Sequence, residues 1–248
     1  MRITPNIAII GSGRLGFGPT DPLDCNVYLV RCGNVWTMID AGAGRDVDGL
    51  LRNARADGIE STAIRHVLLT HGHADHAGGC AELKRRLGAA VWASREVAGW
   101  LSSGDRTAIS LDKAIAAGIY PADYRFDACP VDYVVEDNVP VSIGDTGGRT
   151  ITPLATPGHA DGHMAYLLDD AGRACVFVGD LLTCRGEVLL QFTEDCSVQK
   201  LGQSLLRLRE LSVDALFPGH FHFCVSGGQA PIEAAGATLG RLLLPRTV

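Results

Sequence analysis

His71-Gly72-His73-Ala74-Asp75-His76 closes the apolar run Val67-Leu68-Leu69-Thr70 and places four metal-ligand side chains within six residues. Neither a packed core nor an ordinary surface turn needs that density. Imidazole and carboxylate together suit borderline and hard divalent ions, chiefly zinc, with iron and manganese also compatible. In an extended segment residues two apart point the same way, so His71 and His73 can grip one ion. Asp75 and His76 lie beyond the turn, where the pattern predicts a helix over residues 75–87, and can face a second ion.

Three further segments repeat the design. Thr156-Pro157-Gly158-His159 follows the strand-like residues 150–155, Val178-Gly179-Asp180 closes residues 174–177, and Phe217-Pro218-Gly219-His220 closes residues 213–216. Each sets one His or Asp just past the carboxyl end of an apolar strand, with glycine making room for the turn. Strand ends converging on one edge are where α/β architectures build sites. Five histidines and two aspartates so placed point to a metal centre.

Around these motifs, strands are predicted at residues 7–10, 27–30, 35–39, 66–70, 90–93, 139–143, 151–155, 164–168, 175–178 and 188–192. Helices are predicted at 46–56, starting at Asp46 or Arg45, and at 75–87, 198–211 and 229–244. Leu201, Leu205, Leu208 and Leu211 recur at helical spacing, which is core periodicity. Alternating strand and helix blocks in two halves predict an α+β protein, two face-to-face sheets with helices outside. No linker or repeat divides the chain, so residues 1–248 read as one domain.

The motif set resembles the metallo-β-lactamase-fold superfamily of metallohydrolases. The likeness runs from Asn26-Val27-Tyr28-Leu29-Val30 and Ile39-Asp40-Ala41-Gly42 through Pro218-Gly219-His220. It implies an αββα sandwich of two mixed sheets with the metals at one open edge. It implies His71, His73 and His159 on a first ion, Asp75, His76 and His220 on a second, and Asp180 bridging both. Two divalent ions, zinc first and iron or manganese as alternatives, would then generate and share a hydroxide that attacks a small ester, thioester or lactone. Asp75 would act in catalysis by orienting that hydroxide through its free oxygen. No G-x-S-x-G elbow suggests a covalent intermediate instead.

Asp40 is a candidate to accept a hydrogen bond from a ligand imidazole. His163, in Gly158-His159-Ala160-Asp161-Gly162-His163, resembles the G-H-x-x-G-H form of thioesterase and lactonase branches and reads as a buried hydrogen-bonding group. His222 reads as a residue of the pocket or its rim, and His66 as structural. In this family an insertion such as residues 100–137, with Tyr120, Tyr124, Phe126 and Tyr133, often covers the site, so it reads either as a partial lid or as a packed surface segment. Lys113 within it is a substrate-carboxylate contact or, more simply, a solvated helix residue.

Asp180 separates the chain from true β-lactamases, whose branches generally carry cysteine or serine there. Leu181-Leu182-Thr183-Cys184-Arg185-Gly186 departs from the glycine-rich loop of glyoxalase II-type thioesterases, and Thr183 replaces the tyrosine common in quorum-signal lactonases. A different chemistry within the same fold, a persulfide dioxygenase holding one iron on His71, His159 and Asp180, is the alternative reading. A nuclease or phosphodiesterase of the same fold is weaker: a net charge of −6 offers no basic field for a polyanion. A small-molecule substrate is therefore expected, with no nucleic acid. No apolar run is long enough to span a bilayer, and the start Met1-Arg2-Ile3-Thr4-Pro5-Asn6 lacks a signal-peptide pattern, which predicts a cytoplasmic protein. The eight scattered cysteines then read as reduced thiols, with Cys184, four residues past Asp180, near enough to the motif to merit inspection. No motif specifies an oligomeric state.

Overall fold

The computed structural model describes residues 1–144 and 149–248. A seven-stranded sheet runs in sequence order. Its strands are β1 (Arg2–Thr4), β2 (Ile7–Gly11), β3 (Val27–Cys32), β4 (Val35–Ile39), β5 (Ile64–Leu68), β6 (Ala90–Ala93) and β7 (Tyr133–Val134). The pairings from β1 to β4 are antiparallel and those from β4 to β7 are parallel. The four-stranded sheet has the order β11-β10-β9-β8, from β8 (Ile151–Ala155), β9 (Met164–Asp169), β10 (Ala174–Gly179) and β11 (Ala215–Pro218). There β8, β9 and β10 pair antiparallel while β10 and β11 run parallel.

The period-two alternation of strands explains how the sheets stack. Ile7, Ile9, Tyr28, Val30, Ile39 and Leu68 face Tyr166, Leu168, Phe177 and Phe217 of the second sheet in one buried cluster. Their neighbours Ala8, Ile10, Leu29, Met38 and Val67 face the opposite way. They pack under α1 (Val47–Ala56), α3 (Cys80–Leu87) and α4 (Arg95–Ser103), which α5 (Leu111–Ala116) follows along the chain. On the other side Val176, Val178 and Leu216 pack against α6 (Val198–Arg209) and α7 (Gln229–Gly240). Both faces of each sheet are covered, which is why so many strands read as unbroken apolar runs. The result is the αββα sandwich of two mixed sheets.

Several elements differ from the sequence reading. Helix 75–87 is two helices, α2 (Ala74–Ala77) and α3, separated by Gly78-Gly79. The backbone of the preceding loop presses into this break: Ala41 N donates to His76 O at 2.7 Å and Gly79 N to Gly42 O at 2.9 Å. A Cβ at position 79 would collide with Ala41 O, so the pair of glycines is what admits the loop. Residues 139–143 form only a bridge from Val141 to Ile151. Residues 188–192 are not a strand either; Val188 bridges to Thr247 near the carboxyl terminus. Helix α7 stops at Gly240, short of 244, and Leu242 turns to a φ of 59°. The helix α4, the edge strand β1 and the two-residue β7 were not anticipated. Asp46 does cap α1, its side chain accepting from Gly49 N. Among the described residues no helix is long and apolar enough to cross a membrane.

Candidate metal centre

The carboxyl ends of β4, β5, β8, β10 and β11 lie at one edge of the sandwich, and the chain leaves each of them through a short turn. Asp40 follows β4, His71 and His73 follow β5, His159 follows β8, Asp180 follows β10 and His220 follows β11. Tyr28 in β3 fixes the last of these, donating its hydroxyl to Pro218 O at 2.8 Å, while Asn26 N donates to Gly219 O at 2.6 Å.

Two adjoining groups of ligand atoms result, beside a third set, Cys25, Asp40 and His76, that shares His76 with the second. His71, His73 and His159 form one, and Asp75, His76, Asp180 and His220 form the other, with the ligand atoms of each group within 4.8 Å of one another. In the first, His73 Nδ1 lies 3.0 Å from His71 Nε2 and 3.0 Å from His159 Nε2. In the second, His220 Nε2 lies 3.1 Å from Asp75 Oδ2 and 3.3 Å from Asp180 Oδ2, and His76 Nε2 lies 3.2 Å from Asp180 Oδ1. Asp180 reaches both groups, its Oδ2 also lying 3.5 Å from His159 Nε2.

The outer hydrogen bonds decide which nitrogens carry protons. His159 Nδ1 donates to Leu189 O at 2.8 Å, leaving Nε2 bare. Thr70 donates its hydroxyl to Asp40 Oδ2 at 2.8 Å, so the hydroxyl accepts from His71 Nδ1 at 3.0 Å and His71 Nε2 is bare. His76 Nδ1 donates to Asp40 Oδ2 at 2.8 Å, which turns its Nε2 toward Asp180 Oδ1. His73 turns Nε2 toward Asp195 Oδ2 at 3.6 Å and Nδ1 toward the other two imidazoles. The bare Nε2 atoms of His71 and His159 and the Nδ1 of His73 thus converge at about the spacing of one tetrahedral edge: nitrogens at roughly 2.0–2.1 Å from a common zinc stand about 3.3–3.4 Å apart. His73 Nε2, buried without a hydrogen-bond partner among the described residues, leaves the ring free to turn Nδ1 to an ion. Asp180 Oδ1, buried and without a hydrogen-bond partner among the described residues, is a second sign that a cation belongs here. The donor set, imidazole and carboxylate without thiolate, fits a borderline divalent ion.

Electrostatics follow the same division. Burial, reinforced by the neighbouring imidazoles His76 and His73, holds His71 well below the ordinary histidine range. Burial likewise pushes His159 down to about 4. His220 goes the other way: burial opposes its protonation, but the carboxylates of Asp180 and Asp75 win and raise it to about 9. Burial thus keeps His71 and His159 neutral, whereas in the second group nearby carboxylates outweigh burial and raise both His76 and His220.

The supporting residues have distinct placements. Asp40 lies under His76 and Thr70, in the left-handed region at φ 61°. His163 is buried; its Nδ1 donates to Thr156 Oγ1 at 2.9 Å and its Nε2 accepts from Asp180 N at 3.3 Å, so it holds the backbone of Asp180. His222 is exposed and joins neither group, packing edge-on to Phe17 at 5.8 Å. His66 lies elsewhere, accepting from Trp92 Nε1 at 3.1 Å. Cys184 packs beneath the second sheet, with its thiol toward Leu216 O, and is a free cysteine. Lys113 pairs with Glu194 and is not aimed at the site.

Two further residues, Asp195 and Tyr120, contact the ligands from loops. Asp195, on the loop before α6, accepts from Ser110 Oγ at 3.2 Å through Oδ1 and faces His73 through Oδ2. Burial would raise its carboxyl, but the contact with His73 outweighs this and holds it at about 2. Tyr120, within the 100–137 segment, donates its hydroxyl to Asp75 Oδ1 at 2.9 Å. The oxygen of Asp75 expected to be free is therefore engaged. Burial, helped by the Asp75 carboxylate, raises the Tyr120 hydroxyl well above its ordinary range. No motif flags either residue, since each reaches the site through tertiary packing of a loop.

Comparison with known proteins agrees with this architecture. The model of the metallo-beta-lactamase superfamily matches residues 20–220, and the chain belongs to that superfamily. A hydroxyacylglutathione hydrolase of Acidiphilium cryptum is 31% identical over 153 residues, covering 61% of this chain and 49% of that protein. An atrochrysone carboxyl ACP thioesterase of Aspergillus fumigatus is 26% identical over 202 residues, 79% of this chain and 50% of that protein. The chain thus spans about half the length of these curated relatives. Among solved structures, a metallo-beta-lactamase family protein of Thermus thermophilus superposes with a TM-score of 0.73 at 21% identity, over 97% of this chain and 81% of that one. The FEZ-1 metallo-beta-lactamase of Legionella gormanii superposes with a TM-score of 0.71 at 21% identity, over 97% and 94%. At that identity these two establish a shared fold and nothing about substrate.

Proposed function

We propose that the protein is a dinuclear hydrolase of a small ester, thioester or lactone, with zinc the first choice of ion. The observation that carries the reading is the pair of adjoining ligand groups, with imidazole lone pairs left bare by their own outer hydrogen bonds and one carboxylate, Asp180, touching both. His71, His73 and His159 would hold one ion, Asp75, His76 and His220 the other, and Asp180 would lie between them. Bound there, two divalent ions would supply hydroxide at neutral pH and draw charge from a carbonyl oxygen.

The chain's own contribution is orientation and exposure. Asp40, Thr70 and Leu189 O fix the tautomers of His76, His71 and His159. The side chains of His71, His76 and His159 are fully buried, whereas those of His73, Asp75 and His220 retain 8%, 19% and 6% exposure. Substrate would therefore approach over His73, Asp75 and His220. Asp75, the most exposed of these, presents one oxygen to the second group and would help place the nucleophile beside the carbonyl. The names of both curated relatives, a hydroxyacylglutathione hydrolase and an acyl carrier protein thioesterase, favour a thioester within the substrate class.

The test is elemental analysis of protein purified without added metal, followed by a panel of thioesters, lactones and esters. About two zinc ions per chain and saturable hydrolysis of a panel member are expected. One iron per chain with oxygen consumption on a persulfide would replace this reading with the dioxygenase.

A further inference from the structure

Helix α2 begins without the cap its sequence position calls for. His73 is its N-cap residue, and its side chain makes no capping hydrogen bond because the ring is turned to His71 and His159. The amide hydrogens of a first helical turn have no partner within the helix, and an N-cap side chain ordinarily accepts one. Here a distant residue does so: Asp75 N donates to the hydroxyl oxygen of Tyr120 at 3.0 Å. The same hydroxyl donates back to Asp75 Oδ1 at 2.9 Å. One phenol thus closes a ring with the backbone and side chain of a single aspartate, which leaves Oδ2 to face His220 at 3.1 Å and His76 at 3.6 Å.

Tyr120 is itself held. It is buried with Ile109, Leu111 and Tyr124 against Ala43 and Ala74. Its ring lies 4.8 Å from that of Tyr124, whose hydroxyl contacts Ala43 O at 2.7 Å and Ala74 O at 3.2 Å. The two tyrosines therefore grip the two poles of the Ala74–Asp75 peptide, Tyr124 at the carbonyl and Tyr120 at the amide. Only Tyr120 also touches the carboxylate.

We propose that Tyr120 is a positioning residue that locks Asp75 in the rotamer presenting Oδ2 to the second ion, so that a segment outside the ligand motifs sets the affinity of that site. The proposal rests on the dinuclear reading above. Removing the hydroxyl frees Oδ1 and the Asp75 amide together, and the carboxylate must then be ordered when the ion binds. Outer partners of metal ligands typically change affinity by about 10–100-fold.

The experiment is stepwise zinc affinity, by competition with a chromophoric chelator, on the wild-type chain, Tyr120→Phe and Tyr124→Phe, with a thermal melt of each metal-free protein alongside. The wild type should bind two ions. Tyr120→Phe should weaken the second ion about 10–100-fold and change the first by less than about twofold. Tyr124→Phe, which leaves the carboxylate contact intact, should change the second ion by less than about threefold even if its melting temperature falls as far. In an Asp75→Asn background, adding Tyr120→Phe should produce little further loss, because the two act as one unit. Wild-type affinity for both ions in Tyr120→Phe, or equal weakening of both, overturns the proposal while leaving the dinuclear reading standing. A wild-type chain that binds a single ion overturns both.

Discussion

Asp40 Oδ2 accepts from His76 Nδ1 at 2.8 Å, and the two side chains, 2% and 0% exposed, form a fully enclosed pair. The same carboxylate accepts Thr70 N at 2.7 Å through Oδ1 and the Thr70 hydroxyl through both oxygens, and that hydroxyl in turn accepts from His71. One carboxylate therefore dictates the tautomer of an imidazole in each ligand group.

Asp40→Asn tests this relationship without disturbing the backbone, since asparagine tolerates the left-handed conformation at position 40. Its carbonyl can still accept Thr70 N, but its amide then faces His76 Nδ1. His76 must move its proton to Nε2, toward the ligand group. Metal affinity should fall by about 10–100-fold in a protein with an unchanged circular dichroism spectrum. Unchanged affinity by chelator competition would refute the tautomer argument.

Asp180 places a carboxylate between the groups, 3.2 Å from His76 and 3.5 Å from His159. Asp180→Ala should lose at least about three orders of magnitude in kcat/KM, the rate equivalent of several kcal/mol of lost charge stabilisation, and His73→Ala should be similarly impaired. Both should remain folded, because neither side chain belongs to an apolar cluster of the core. Full hydrolysis by metal-depleted Asp180→Ala would sink the mechanism.

Much of this site was legible because its residues obey local rules. His71, His159, Asp180 and His220 each follow an apolar strand, and β-strand ends converge wherever two sheets stack in register. The αββα layering was legible for the same reason, from blocks of strand and helix periodicity. What escaped depends on tertiary contacts. The break at Gly78-Gly79 lies inside a run with helical patterning, and only the loop pressing on it from Ala41 and Gly42 explains it. Residues 188–192 look apolar enough for a strand, yet Leu189 O is taken by His159. Asp195 and Tyr120 lie in loops with no periodicity, and their roles come from what they meet across the fold. His222 shows the converse: its spacing from His220 suggests a site residue, but the turn at Phe221, φ 60°, points the chain away.

Gly219 offers a prediction from space alone. A Cβ there would overlap Asp180 Oδ1 and lie 2.6 Å from His76 Cε1. The backbone has no freedom to retreat, since Gly219 N donates to Gly179 O at 2.7 Å and its carbonyl accepts from Asn26 N at 2.6 Å. Gly219→Ala should therefore displace the ligands themselves, yielding a folded protein with at most about half the wild-type metal content and at least about tenfold lower turnover. Full metal content by elemental analysis would show that the side chains adapt.

His163 gives the pH prediction. Burial, with the neighbouring His159, depresses it from 6.5 to about 3. Its neutral form is the one the structure uses, with Nδ1 donating to Thr156 and Nε2 accepting from Asp180 N. Below pH 6.5 the unfolded chain takes up a proton here that the folded chain refuses, so unfolding gains protons and stability falls with falling pH. This contribution is fully present above 6.5 and is lost as the pH drops toward about 3. Its limiting slope is one proton, about 1.4 kcal/mol per pH unit. His163→Gln, which can still donate at one end and accept at the other, has no such titration. Urea unfolding of the metal-free proteins between pH 6.5 and 4 should therefore show a slope of stability against pH that is shallower in the variant by up to that amount. Parallel slopes would mean that His163 is protonated in the folded state, and that Asp180 N is held by something other than its lone pair.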